Sequence, residues 1–446
     1  MKKSILLGFV AVVLASCTGS FNETNKNFQL QFDSGQYEQA AQTMAAATIN
    51  AEKPNNIYLG GLQCGNGFTW SNNIDGAMNC FSASDMVLSG EIPEDSSYEI
   101  KNYEKIMLKT YQSINAISQQ DTFTKQFLNQ AYDFQKSNIE DNGEEIESLR
   151  EKFAKDQEKL HQAGVGYMPS IDALVKEIES QPIDPENSVV PMKDFANPYT
   201  TWLMALYDGA TGDKNNANNG MKRVSEFAPN NSFVKTDIKG LDQGSVYIVF
   251  ENGKVGTIQK RPLIPESLKP LTQPLMALGI NAGIKLTIPD VYPGTKALTN
   301  LSISTDKEQV DTQFLASIDS IVKTDLDKYK TSNIMKAVAF EVGKIAAATV
   351  AGIAAHEAAK GSAFQDILTM AAVVGVMSVE KPWDLRSWDS IPNEIQTARI
   401  SMPSNREILV NNNFIVTIPE EAKNAIVFIR IPTANAVPGV VVGILN

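Results

Sequence analysis

His161 and His356 are the only histidines in this chain, and that scarcity removes most metal and general-base chemistry. A three-histidine zinc site cannot be built from two, and no His-Glu-x-x-His pattern occurs. A Ser-His-Asp triad would have to recruit one of these two rings. His161 sits in a charged run, where a solvated ring is expected, and His356 sits among alanines, where a hydrogen-bonded core histidine is expected. No Gly-x-Ser-x-Gly elbow and no Walker loop appear. Cys64-Gly65-Asn66-Gly67 offers two glycines to a phosphate, but no lysine and no third glycine. Carboxylates are plentiful, and a pair at glycosidase spacing could meet in space, which chain spacing does not reveal. These residues imply no catalytic group, no metal and no cofactor.

Two other groups suit structure or recognition. Cys64 and Cys80, sixteen residues apart on adjacent candidate helices, form a candidate disulfide in an oxidising compartment. Two buried thiols are the alternative, and no nearby His or Cys completes a zinc site. Trp383, Arg386 and Trp388 stand just before a candidate strand, where either tryptophan could stack on the guanidinium. They either pin a helical insertion against a sheet or form a partner-binding hot spot, where Trp and Arg are enriched.

The elements around these residues begin with an address. Met1-Lys2-Lys3, an apolar run from Ile5 to Leu14 and the small residues Ala15-Ser16 before Cys17 make a secretory signal too short to span a bilayer. Leu14-Ala15-Ser16-Cys17 resembles the lipobox of bacterial lipoproteins. That resemblance implies cleavage after residue 16, lipidation of Cys17 by two or three acyl chains, and stable anchorage. Thr18 stands where an aspartate would imply inner-membrane retention, so by that family rule the implied destination is the outer membrane, with the chain expected to face the periplasm. Residues 17–27 read as a polar tether with little to bury.

Removing residues 1–16 leaves 430 of 446 residues, too many for one core, so two or more domains are expected. The formal charge of −12 becomes −14 without Lys2 and Lys3, which disfavours nucleic acid and anionic lipid as partners.

From residue 28 to 232 the pattern is helical. Gly35, Tyr37 and Ala40 open one helix; Gly65, Phe68, Ala77 and Phe81 recur at offsets 0, 3, 12 and 16. Ala205, Gly212, Ala217 and Pro229 recur at 0, 7, 12 and 24. These fragments resemble the tetratricopeptide repeat, a helical hairpin in which small residues admit an aromatic wedge. Asn138–Gly166 is dense in charge, with Ile146, Leu149, Phe153 and Leu160 at helical spacing; it reads as an exposed helix, with a docking ridge as the alternative. Gln181–Asn187 reads as a linker.

Residues 233–446 change period. Val246–Phe250 and Val255–Ile258, joined through Asn252-Gly253, read as a β-hairpin. Further strands are expected at Ile284–Ile288, Leu301–Ser304, Ile395–Met402, Arg406–Val410, Phe414–Ile418 and Ile426–Ile431. A helical insertion is expected over about 306–379, with Val310, Phe314, Ile318 and Ile321 on one helix face. Its charge-free stretches, Ile345–Ala355 and Ile367–Val379, are shorter than the roughly 20 residues that cross a bilayer. Buried helices are expected there; insertion into a membrane or self-association is the alternative. The expected fold class is α+β, a tetratricopeptide-like helical domain followed by a β-rich domain.

Val246–Gly253 and Asp384–Arg399, with the lipobox, the helical front and the Ala-rich insertion, resemble a family of uncharacterised bacterial outer-membrane lipoproteins. The resemblance implies an envelope role and brings no catalytic residues; with the concave surface that stacked helical hairpins offer, a non-enzymatic envelope adaptor or scaffold with an envelope protein as partner is expected. An oligomerising component of an envelope assembly is the alternative, forming a homo-oligomer through the insertion. A cell-wall-active hydrolase is a second.

Overall fold

The computed structural model describes residues 21–51, 56–93, 98–136, 143–164, 166–181, 188–194, 196–238, 244–263, 266–268, 284–362 and 365–445. Residues 1–16, Cys17 and most of the expected linker (182–187) lie outside the described residues. Helix α1 spans 21–33. It is followed by α2 (Tyr37–Thr48), α3 (Ile57–Trp70), α4 (Ile74–Leu88), α5 (Asn102–Ser118) and α6 (Thr124–Lys136). Then come α7 (Gly143–Gln162), α8 (Ile171–Glu179), α9 (Pro198–Ala210), α10 (Lys214–Phe227) and α11 (Ser232–Asp237). Strands β1 (Ser245–Asn252), β2 (Thr257–Leu263), β3 (Leu286–Tyr292), β4 (Ser302–Ser304), β5 (Gln309–Asp311) and β6 (Gln313–Ser317) lead into three helices. These are α12 (Ile318–Asp327), α13 (Lys330–Ala358) and α14 (Gln365–Met377). The chain ends with β7 (Glu394–Ser401), β8 (Glu407–Val410), β9 (Phe414–Thr417), β10 (Ala425–Ile431) and β11 (Gly439–Ile444). The fold is α+β.

Local sequence explains where helices start. Asn73, Ser170, Asn197, Asp213, Asn231 and Ser317 each accept a first-turn N–H, a cap worth about 1 kcal/mol. Small residues explain how closely they pack. A Cβ at Gly65 of α3 would lie 2.4 Å from the Phe81 ring of α4, and one at Gly220 of α10 would lie 2.7 Å from Ala205 of α9. The spacing fragments Gly65/Phe81 and Ala205/Ala217 thus fall on pairs of helices in contact.

The central sheet has the order β11-β10-β1-β7-β6, with β1 parallel to β10 and antiparallel to β7. All eight residues of β1 are buried because both faces of the sheet are covered. Tyr247 and Val249 join Phe81, Tyr111 and Trp202 in the core shared with the helices. Val246, Ile248 and Phe250 face the second sheet, β5-β4-β8-β9, and pack with Ile303, Ile408 and Val410. This strand alternation makes three layers: helices, five strands, four strands.

Several expectations change. Helices and sheet share one hydrophobic core, so residue 232 does not separate two independent cores. Residues 21–27 of the expected tether form the first turns of α1, which buries Phe21, Phe28 and Phe32. The hairpin through Asn252-Gly253 does not form: β10 and β7 occupy both edges of β1, and β2 pairs with β3. Gly253 does adopt a φ of 71°, but to pass the Thr295 carbonyl, whose oxygen would sit 1.9 Å from a Cβ. The insertion is narrower than 306–379, because Val310 and Phe314 lie in β5 and β6 and helix begins at Ile318. Pairing of β6 with β7 and the Ser317 cap set that boundary. β11 carries a buried-every-second pattern that the expected strands omitted.

The charged helix α7 is not a free ridge. Phe153 and Leu160 pack with Ile171 and Leu174 of α8 against Ile334, Val338 and Val342 of α13. This second core also takes Leu286 and Ile288 of β3, so α7 and α8 belong with the insertion rather than with the N-terminal hairpins.

Candidate interaction surface

The segment after α14 returns across the helical layer and carries the three recognition candidates to three different tasks. Trp388 is fully buried, its ring 5.4 Å from Tyr111 and 6.2 Å from Phe81, centroid to centroid. Its indole N–H donates to Ser390 Oγ at 2.9 Å, and its backbone N–H to Glu104 Oε1 at 3.3 Å. Trp383 is partly buried and donates from Nε1 to the Thr287 carbonyl of β3 at 3.1 Å, with the Lys381 ammonium 4.4 Å above its ring. Arg386 stacks on neither tryptophan. Its guanidinium lies 5.2 Å from the Tyr98 ring centroid, donates to both oxygens of Asp384 (2.7 and 2.8 Å) and reaches Asn56 Oδ1 at 2.5 Å. The expected stacking is corrected because Trp388 turns into the core while Trp383 is held by β3.

Burial disfavours the charge on Asp384, but the adjacent Arg386 guanidinium outweighs it and holds the pKa below the ordinary carboxylate value. Glu104 and Asp389 shift the other way, raised by burial. Glu104 accepts from the hydroxyls of Tyr98 and Tyr103, and Asp389 accepts from Asn25 and Ser387 at 2.8 Å each. The local Asp384-Leu-Arg386 spacing was visible in the chain; Tyr98, Glu104 and Asn25 were not, because they arrive from the segment before α5, from α5 and from α1.

Beneath this segment lies a sealed charge pair. Glu251 and Arg430 face each other in register on β1 and β10, both with no exposed surface. Tyr111 and Tyr199 donate to Glu251 at 2.6 and 2.9 Å. Arg430 donates to the carbonyls of Glu251, Gly253 and Ser390 at 3.1, 2.6 and 3.0 Å. Burial, opposed by Arg430 and the tyrosine hydroxyls, pushes Glu251 up to about 7. The network ties α5 and α9 to the central sheet at its midpoint.

Cys64 on α3 and Cys80 on α4 are joined as a disulfide, with Cα atoms 6.0 Å apart. Cys64-Gly65-Asn66-Gly67 is buried helix rather than a phosphate loop. His161 is exposed near the end of α7. His356 is half-buried near the end of α13, its ring nitrogens 3.1 and 2.9 Å from Gln365 Nε2, and so is not a core residue. Among the described residues, no group of three His, Cys, Asp or Glu could hold a metal ion. No family model, curated protein or solved structure matches this chain.

Two further surfaces bear on recognition. One is a groove of about 520 Å³ beside the disulfide, between α2 and α4. Ala45, Ile49 and Phe68 give it an apolar lining, and Gln42, Asn50 and Asn79 add amides; no charged residue lines it. The other is the outer side of α13 and α14. α13 is long and apolar enough by composition to cross a membrane, although 61% of its most apolar window is buried in the protein.

Proposed function

We propose that this protein is a non-enzymatic envelope lipoprotein, anchored through Cys17 at the outer membrane, that holds a segment of another envelope protein in the α2–α4 groove. The observation that carries this reading is the composition of that groove. Apolar side chains offer a dry contact, and amides on Gln42, Asn50 and Asn79 can pair with a peptide backbone without selecting a charge. The disulfide supports the role by fixing α3 against α4 at the groove wall.

The test is crosslinking of the tagged protein in its own cells, followed by identification of what co-purifies. Deleting residues 28–232 is unsuitable, because it removes most of the core on which the sheet rests. Ala46 and Asn79 are exposed at the groove, so Ala46→Arg with Asn79→Arg fills it while sparing the core. Loss of one stoichiometric envelope protein supports the reading. Unchanged recovery of that protein sinks it.

A further inference from the structure

The largest concentration of exposed apolar side chains lies on α13, α14 and the residue just past them. Of thirteen large hydrophobic residues exposed among the described residues, five fall here: Val350, Ile353, Met370, Val374 and Val379. Ala347, Val350 and Ala354 share one face of α13 at spacings of three and four, and Met370 and Val374 share one face of α14. Charged groups flank this surface. Lys344 is buried against Glu341 and the Val379 carbonyl at one end, and Glu357 pairs with exposed Lys360 at the other.

The apolar run of α13 between Lys344 and His356 is roughly 18 Å long, against roughly 30 Å of bilayer hydrocarbon. That uncharged run alone is too short to span, and 61% of the most apolar window of α13 is already buried in the protein, so the helix is suited to lying along an interface. The inner side of α13 is already occupied by α7, α8 and α14, which leaves only its outer side for a lipid surface.

The chain itself says which surface is near. Phe21, Asn22 and Asn25 of α1 line one cleft with Pro382 and Arg386, in the segment that leaves α14. Four residues separate Phe21 from Cys17, a chain reach of at most about 14 Å. Acyl chains on Cys17 would therefore enter a bilayer beside the base of the α13–α14 arm.

We propose that the exposed side of α13 and α14 docks on the lipid surface of the bilayer that anchors Cys17, and so orients the α2–α4 groove relative to the membrane. This rests on the lipoprotein reading and goes beyond it. Contact is made by uncharged apolar side chains on an acidic protein, so it is not driven by anionic lipid and salt does not weaken it.

The experiment uses the full mature chain carrying Cys17→Ala, so that no acyl chain contributes, in flotation with 3:1 phosphatidylethanolamine–phosphatidylglycerol vesicles. The expected result is co-flotation that does not weaken between 0.1 and 0.5 M NaCl and that falls at least tenfold in Val350→Asp/Val374→Asp. Val350→Ser/Val374→Ser, a milder pair at half-exposed positions, should give an intermediate loss with unchanged circular dichroism. A protein that stays with the buffer, or aspartate variants that float as well as the parent, overturns the proposal. A dimer that the aspartates convert to monomer, with no flotation, also overturns it and assigns the face to a second copy. Mass spectrometry of the protein from its own cells reads the anchor separately: an unmodified Cys17 refutes the lipoprotein reading whatever the vesicles show.

Discussion

The central sheet with its N-terminal helices and the α13–α14 arm solve opposite problems with similar elements. In the body, ionisable groups are taken inside and given partners: Glu251 meets Arg430 and two tyrosine hydroxyls, and Glu104 meets Tyr98 and Tyr103, although Arg430 Nε makes no hydrogen bond. In the arm, apolar groups are left outside, with Val350 and Val374 each about half exposed. An interior tolerates a charge when it is paired, because an unpaired buried ion costs several kcal/mol. A surface tolerates exposed valine at little cost to the fold, so what covers it is decided by function. The body should therefore be sensitive to single substitutions and the arm insensitive.

The largest effect is expected at the sealed pair. Arg430→Met removes the partner of Glu251 and leaves three carbonyls without their donor, at a cost of about 3–5 kcal/mol in chemical denaturation near neutral pH. Because helices and sheet share a core, the loss should appear as one transition read by both tryptophan fluorescence and circular dichroism. Two separated transitions would break the comparison by showing that the helices stand alone.

A related pH dependence sharpens it. Glu251 has a pKa of about 7 in the folded protein against an ordinary 4.5. Between those values the folded state holds more protons than the unfolded one, so stability falls as pH rises through the window and is flat above it. The contribution is about 3 kcal/mol. Glu251→Gln should flatten that slope between pH 4.5 and 7, and an unchanged slope would place the titration on Glu104, Asp319 or Asp389, which burial also raises.

Opening the disulfide by Cys64→Ala with Cys80→Ala should cost about 3 kcal/mol, the value for a loop of this length, measured as a lower denaturation midpoint under oxidising conditions. The smallest effect belongs to the arm. Val350→Ser with Val374→Ser should move stability by no more than about 0.5 kcal/mol, and a larger loss would mean that this face is already packed within the chain.

Legibility in the chain followed the range of the interactions. The glycine and aromatic at Gly65 and Phe81 could be paired from spacing, since neighbouring helices meet at a predictable offset. Strands at 301–304 and 395–431 were visible from their alternation. The Val246–Ile258 hairpin was misread because Asn-Gly reports a positive φ and not the identity of the partner strand. The helix expected through Val310 and Phe314 was misread because those two, at helical spacing from Ile318 and Ile321 of α12, instead lie in two short strands, with a bulge between Phe314 and Ala316. Trp383, Arg386 and Trp388 were found, but their three separate roles were not.

By itself the sequence determined the α+β class, the caps that start the helices, the small residues that let them approach and the lack of familiar catalytic patterns. These depend on residues within a turn or a hairpin of each other. The tertiary structure decided that helices and sheet share one core, that α7 and α8 belong to α13, and that Glu251 faces Arg430 from a strand 179 residues away. Those pairings depend on which faces are left to bury once the local elements exist, and burial is set by the whole chain at once.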